Sequence, residues 1–322
     1  MMTEINVHKS AFTRSCAALM MIVAAGNAGA QEGSTGYQFL EVPTSAHAAA
    51  LGGNNVSIIE DDATLMFSNP ALTTNVSDKT LNLNYTSYIS GTNKMSASFV
   101  KQTGERGTWS AGAMLLNYGT MTETDENFNE TGTFSAKDIA LQGGYSYLFS
   151  DYWSGGVQGK ILMSKYGEYS STAIGVDLGI NYYDDARGWS LSLVGQNLGG
   201  QIDALYEKNE ALPFNLLFGV SKRFANAPIR VSFTFDKLTD WDDKVLSHHL
   251  SVGADVFFSS TTWVGVGYNP RRSKEMKVAD SSHWAGLSLG AGLNLRKVKI
   301  GVAYGKYHVA ASSLIINASY VF

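Results

Sequence analysis

The side chains from which this 322-residue chain could build a reactive site are few: six histidines, one cysteine and dispersed acidic residues. His47, His248, His249, His283 and His308 show neither an HExxH pattern nor any other paired-ligand spacing. His248 and His249 are adjacent, so on a strand they project from opposite faces and make poor co-ligands. No serine stands in a nucleophile elbow. Asp240-Trp241-Asp242-Asp243 concentrates acid, but without the spacing of a calcium loop. The residues therefore make no case for an enzyme, a metal or a cofactor. More informative are the charges set inside alternating segments: Lys160, Asp177, Arg230, Asp236, Asp255 and Arg296. Lys160, Asp177, Arg230 and Asp255 are candidates for ion pairs that brace strands on a polar inner face. A polar substrate path would use the same residue types.

These charges must be positioned by the elements around them. Residues 1–30 read as an export signal: Lys9 and Arg14 form a basic start, Cys16–Ala25 an apolar core and Ala28-Gly29-Ala30 a cleavage site. The mature chain is then expected to begin at Gln31 and to lack cysteine, which excludes disulfides and thiol chemistry. No later apolar run is long enough for a membrane helix, which needs about 18 residues or more. The net charge of −4 does not suit a nucleic-acid binder.

After residue 79 the chain alternates apolar and polar residues almost without interruption. Ile174, Val176, Leu178, Ile180 and Tyr182 interleave with Gly175, Asp177, Gly179 and Asn181. Ile229, Val231, Phe233 and Phe235 do the same with Arg230, Ser232 and Thr234. About fourteen such segments follow one another, most of them long enough for a tilted membrane strand. Tight turns at 150–152, 184–187 and 225–227 alternate with longer polar stretches at 119–134, 199–211, 238–246 and 270–282. That pattern predicts an all-β fold: a transmembrane antiparallel β-barrel over 79–322, in a bacterial outer membrane and in contact with its lipid. Trp109, Trp153, Trp189 and Trp263 each follow a tight turn and are expected to form one aromatic belt on the periplasmic side. The last segment presents Leu314, Ile316, Ala318, Tyr320 and Phe322 on one face. Its terminal aromatic resembles the C-terminal strand by which such barrels are recognised for assembly. Strand parity places the C-terminus in the periplasm, and the N-terminus is expected there too.

Residues 37–78 do not alternate, and 31–78 are read as a separate N-terminal segment. Asp62 is expected to cap a short helix that Pro70 stops. The segment reads either as a periplasmic leader with one helix or as a plug, and because a barrel of this width is not filled by its own side chains, a short helical plug in its periplasmic mouth is expected. Gly52-Gly53, Asp61-Asp62 and Asn69-Pro70-Ala71, followed by a compact barrel, resemble the PorV/PorQ group of type IX secretion barrels. That group is related in fold to the FadL fatty-acid transporters. Phe39–Pro43 and the chain length are most similar to the PorQ branch.

The resemblance implies a non-enzymatic anchor for a PorZ-like surface protein. It would sit in an attachment complex with PorU and PorV that transfers cargo to the cell surface. The rival from another class is a FadL-like transporter of hydrophobic solutes. Partner contacts are expected at the basic loop Arg271, Arg272, Lys274 and the loop Asp240, Trp241, Asp242, Asp243, with the acidic stretch 119–134 as a further candidate.

Overall fold

A chain that alternates apolar and polar side chains forms strands with one face for each environment, and in hydrocarbon such a sheet must close to satisfy its backbone. The computed structural model describes residues 36–88, 91–125, 129–204, 209–239, 248–275, 285–306 and 312–322. In them fourteen antiparallel strands close into a barrel, each paired with its sequence neighbours and β1 with β14. The strands are β1 (Thr80–Ser87), β2 (Asn93–Thr103), β3 (Gly107–Thr124), β4 (Glu130–Leu148), β5 (Trp153–Tyr166), β6 (Tyr169–Asp184) and β7 (Trp189–Asp203). They continue as β8 (Asn215–Arg223), β9 (Ile229–Phe235), β10 (Leu250–Phe257), β11 (Thr262–Tyr268), β12 (Leu287–Leu295), β13 (Val298–Gly305) and β14 (Ser313–Val321). No described helix is long and apolar enough to cross a membrane.

The seam where the barrel closes shows how the two faces differ. Outward, Leu83, Tyr85, Leu314, Ile316 and Tyr320 are all exposed. Inward, Asn317 Nδ2 donates to Asn84 Oδ1 at 2.7 Å, and Asn84 Nδ2 donates to Ser96 Oγ at 3.0 Å. An amide ladder thus crosses β14, β1 and β2 on the side away from lipid, while the apolar stripe meets it. Aromatic side chains ring both rims on the outward face: Trp109, Phe149, Tyr152, Trp153, Trp189 and Phe224 at the short-turn end, Tyr85, Tyr169, Tyr268 and Tyr304 at the other.

The walls are unequal in height. β3 and β4 run for 18 and 19 residues, whereas β9 and β11 have 7 each. The stretch 119–134, expected to be a polar loop, is therefore mostly strand. Thr122 pairs with Thr133 and Met121 with Phe134, so the hairpin continues well beyond the rim. The basic stretch is also more ordered than a loop, with a helical turn at Pro270–Glu275.

Two residues face differently from the sequence expectation. Trp263 is 7% exposed and points inward, not into an outer belt, because it shares its parity with Gly265 and Gly267 while Val264 and Val266 face out. Arg296 sits in the exposed turn between β12 and β13 with φ 48°, not on an inner face. The export signal, the loop Asp240–Asp243, His283 and His308 lie outside the described residues.

Candidate functional site: the segment held in the lumen

Residues 36–78 lie against the inward faces of the strands as a string of short helices: Gln38–Glu41, Ala46–Ala50, Ala63–Phe67 and Pro70–Asn75. Local chemistry sets their ends. Ser45 Oγ accepts from Ala48 N–H at 3.3 Å, and Asp62 Oδ1 accepts from Thr64 N–H at 2.9 Å. Asn69 Oδ1 accepts from Ala71 N–H at 3.0 Å, and Pro70 opens the next helix at a position where its missing N–H costs nothing. Pro70 thus stops one helix and begins another.

The path of this segment spans the barrel from end to end. Gly36 N–H donates to Ala211 O at 3.1 Å, beside the long-loop rim, and Tyr37 Oη lies 2.5 Å from Ser171 Oγ. At the other rim Ser154 Oγ donates to Ala71 O at 3.0 Å, and Gln102 Nε2 donates to Val76 O at 2.9 Å. Phe322 N–H reaches Lys79 O at 3.3 Å on that same short-turn rim. Gly36 and the C-terminus therefore sit at opposite ends, and the expectation of both ends on one side does not extend to Gly36.

Room for the segment comes from glycines on the inward faces. A Cβ on Gly156 would stand 2.5 Å from the Pro70 carbonyl carbon, and one on Gly179 would stand 2.1 Å from Asn69 Oδ1. These two strand positions form the seat of Asn69-Pro70-Ala71. The glycine-rich inner face is thus a mould for the segment.

The strongest electrostatic feature is a buried quartet at the short-turn end. His47 Nδ1 lies 2.5 Å from Glu60 Oε2 and His47 Nε2 lies 2.7 Å from Asp255 Oδ1. Arg230 Nε donates to Asp255 Oδ2 at 2.7 Å, and Arg230 Nη1 donates to Ile59 O at 3.1 Å. The His47 ring stacks on Trp263, with centroids 3.5 Å apart and planes 6° from parallel. Burial on its own pushes the imidazole down, but the carboxylates of Glu60 and Asp255 outweigh it and raise His47 to about 9. Two cations then balance two carboxylates across the boundary between segment and wall. Burial, with Glu60 close by, raises the neighbouring Asp62 to about 6. Burial also opposes ionisation of Asp61, but hydrogen bonds from Lys299 and Ser77 win and hold its carboxyl below the usual range.

A small pocket of about 230 Å³ opens beside the quartet, lined in part by Glu60, Asp61, Asp62, Trp263 and Lys299. Among the described residues no group of three or more His, Cys, Asp or Glu side chains could hold a metal ion. The chemistry available here is attachment: hydrogen bonds and ion pairs that fasten one part of the chain to another.

Other candidate residues fall into place around this arrangement. Lys160 Nζ pairs with Asp177 Oδ2 at 2.7 Å and donates to Asn197 Oδ1 at 2.7 Å, on the wall alone. Arg230 and Asp255 pair with each other, and both also touch the lumen segment. Gly52 O accepts from Arg272 Nη1 at 3.2 Å, so Arg272 is directed toward the segment instead of outward as a partner contact. Lys274 Nζ lies 2.8 Å from His248 Nε2. Three residues central to the site were not singled out by sequence reasoning. In the sequence His47 is only one of several scattered histidines, and neither Glu60 nor Lys94 stands in a motif. Lys94 is fully buried and donates to Val42 O and, at 2.9 Å, to Thr44 Oγ1. Its parity with Ser96 and Ser98 was the available signal.

A family model described as "Type IX secretion system membrane protein PorP/SprF" matches residues 63–311. Among solved structures, the chain is similar to the Pseudomonas putida toluene transporter TodX at 15% identity and TM-score 0.56, over 86% of this chain and 97% of that one. It is similar to the CymD monoaromatic hydrocarbon channel at 15% identity and TM-score 0.59, over 87% and 97%. A Pseudomonas aeruginosa FadL homologue aligns at 13% identity and TM-score 0.54, over 87% and 99%. At these identities the likeness is one of fold, a FadL-like barrel. No curated protein matches the chain.

Proposed function

The chain belongs to the PorP/SprF family of type IX secretion system membrane proteins, and from that premise we propose a closed outer-membrane anchor rather than a conduit. In this reading the short-turn end faces the periplasm, the long-loop end faces outward, and residues 36–78 are a resident plug. The protein belongs to the PorQ branch and retains a PorZ-like surface protein, alongside PorU and PorV, in the complex that attaches secreted cargo. The observation that carries the proposal is the fastening of the lumen segment: the His47–Glu60–Asp255–Arg230 quartet and the seat at Gly156 and Gly179 hold it at many points. A gate that opens for each solute would have to break these buried ion pairs, at a cost of about 3–5 kcal/mol for a pair left half-made.

A second reading has one observation in its favour. Met114, Leu116, Leu162 and Leu212 form an apolar cluster inside the barrel, of the kind a hydrophobic solute would use. Phe39 and Tyr37 of the chain itself occupy it. A transporter would have to displace them.

The test is affinity purification from outer membranes in mild detergent, with the tag in the exposed turn Gly104–Arg106 so that the C-terminus stays intact. Recovery of a large surface protein with other secretion components is expected. A barrel that came away alone, with an apolar ligand in its lumen, would favour the transporter.

A further inference from the structure

We infer that the upper part of β3, Tyr118–Thr124, is a docking edge for an extended basic segment of another component of the secretion machinery. The inference rests on the anchoring role proposed above and specifies where the partner is held. β2 begins at Asn93, opposite Asn117, so its ladder with β3 ends there. β4 continues alongside β3 as far as Thr124, opposite Glu130. On the side away from β4, no strand among the described residues pairs with Tyr118–Thr124. The Gly119 N–H already donates to Asn117 Oδ1 at 3.0 Å, and beyond that bulge the backbone N–H and C=O groups of Thr120–Thr124 on this side are offered to an added strand.

The other upper edge of the tall wall is treated differently. β7 passes its last β8 partner at Gln196, opposite Asn215. There Asn197 Nδ2 donates to Pro213 O at 2.8 Å, and Leu212 folds inward beneath the rim. The chain covers that edge itself, whereas among the described residues no strand covers the β3 edge. Thr120–Thr124 are exposed on both faces, so burial inside the barrel does not account for a strand this long.

The side chains specify the occupant. Met121 and Glu123 share one face, and Thr120, Thr122 and Thr124 share the other. Glu123 lies over Gly132 of the neighbouring strand, and Glu130 stands at the tip. An added strand would place an apolar residue beside Met121 and a lysine or arginine two positions away beside Glu123. β-branched or hydroxyl residues would face the threonines. The bulge at Tyr118–Gly119 and the acidic residues discourage a second copy of this chain, whose own edge carries the same charge.

The test places a photo-crosslinking residue at the edge in the full-length protein in intact cells, as Thr122→p-benzoylphenylalanine, and identifies the captured peptide by mass spectrometry. The expected product is one peptide from a co-purifying secretion component, with a basic residue two positions from an apolar one. Glu123→Lys should lower its yield about tenfold by like-charge repulsion. Glu123 is exposed, so that variant keeps the barrel intact, which heat-modifiable migration verifies. If the surface protein co-purifies equally with wild type and Glu123→Lys and the edge captures no protein, the docking edge is wrong and the anchor stands. If no component co-purifies at all, both are wrong.

Discussion

His47 carries the clearest consequences at the scale of single residues. With both ring nitrogens on carboxylates it is an imidazolium, and its value near 9 stands above the ordinary 6.5. A raised histidine contributes stability that is complete below pH 6.5 and is lost as pH rises through about 9. Thermal unfolding in detergent should therefore show His47→Gln well below wild type at pH 6, with the gap narrowing by pH 10. Replacement by alanine at neutral pH leaves Asp255 and Glu60 short of a cation and should cost about 3 kcal/mol. Very little of this was legible beforehand. His47 and Glu60 lie on the lumen segment and Arg230 and Asp255 face each other on the paired strands β9 and β10, and only the seating of that segment against the wall brings the two pairs together. The pairing of Arg230 with Asp255 was within reach, since both stood on polar faces of neighbouring strands. Trp263 was misassigned because its height along the barrel was considered and its parity was not.

At the scale of elements, strand and helix differ in how openly they announce themselves. A strand between lipid and a polar interior writes its burial into every second residue, which is why β6, β9 and β14 could be placed within a few residues. The lumen helices Ala46–Ala50 and Ala63–Phe67 carry no period, being buried on nearly all sides, and only the cap Asp62 gave one of them away. The upper hairpin of β3 and β4 was invisible for the opposite reason: it is exposed on both faces, so nothing makes its residues alternate. The mould of inward glycines leads to a direct prediction. Gly156→Val forces a side chain to within 2.5 Å of the Pro70 backbone, which cannot move aside as a flexible side chain would. Overpacking of this kind costs about 1–3 kcal/mol and should unseat Asn69-Pro70-Ala71 without opening the wall. Limited proteolysis should then cleave between Ala63 and Asn75 in the variant and spare the wild type.

The described residues form a closed barrel whose two ends are unlike, with residues 36–78 lying in its lumen. Gly36 is held at the long-loop rim while Thr80 starts β1 at the other, so residues 36–78 run the length of the lumen that β14 and β1 close. The last strand then completes both the seam and the enclosure. Deletion of Phe322, the exposed residue that follows that strand, should reduce the folded, heat-modifiable form in the outer membrane severalfold. The residual barrel should remain filled. The claim that this filled lumen makes the protein an anchor, not a passage, is tested most directly by single-channel recording of the purified protein in planar bilayers. Wild type should give no unitary steps, and Gly156→Val combined with Gly179→Val should give frequent ones. Steady conductance from the wild type, unchanged in the double variant, would contradict the account.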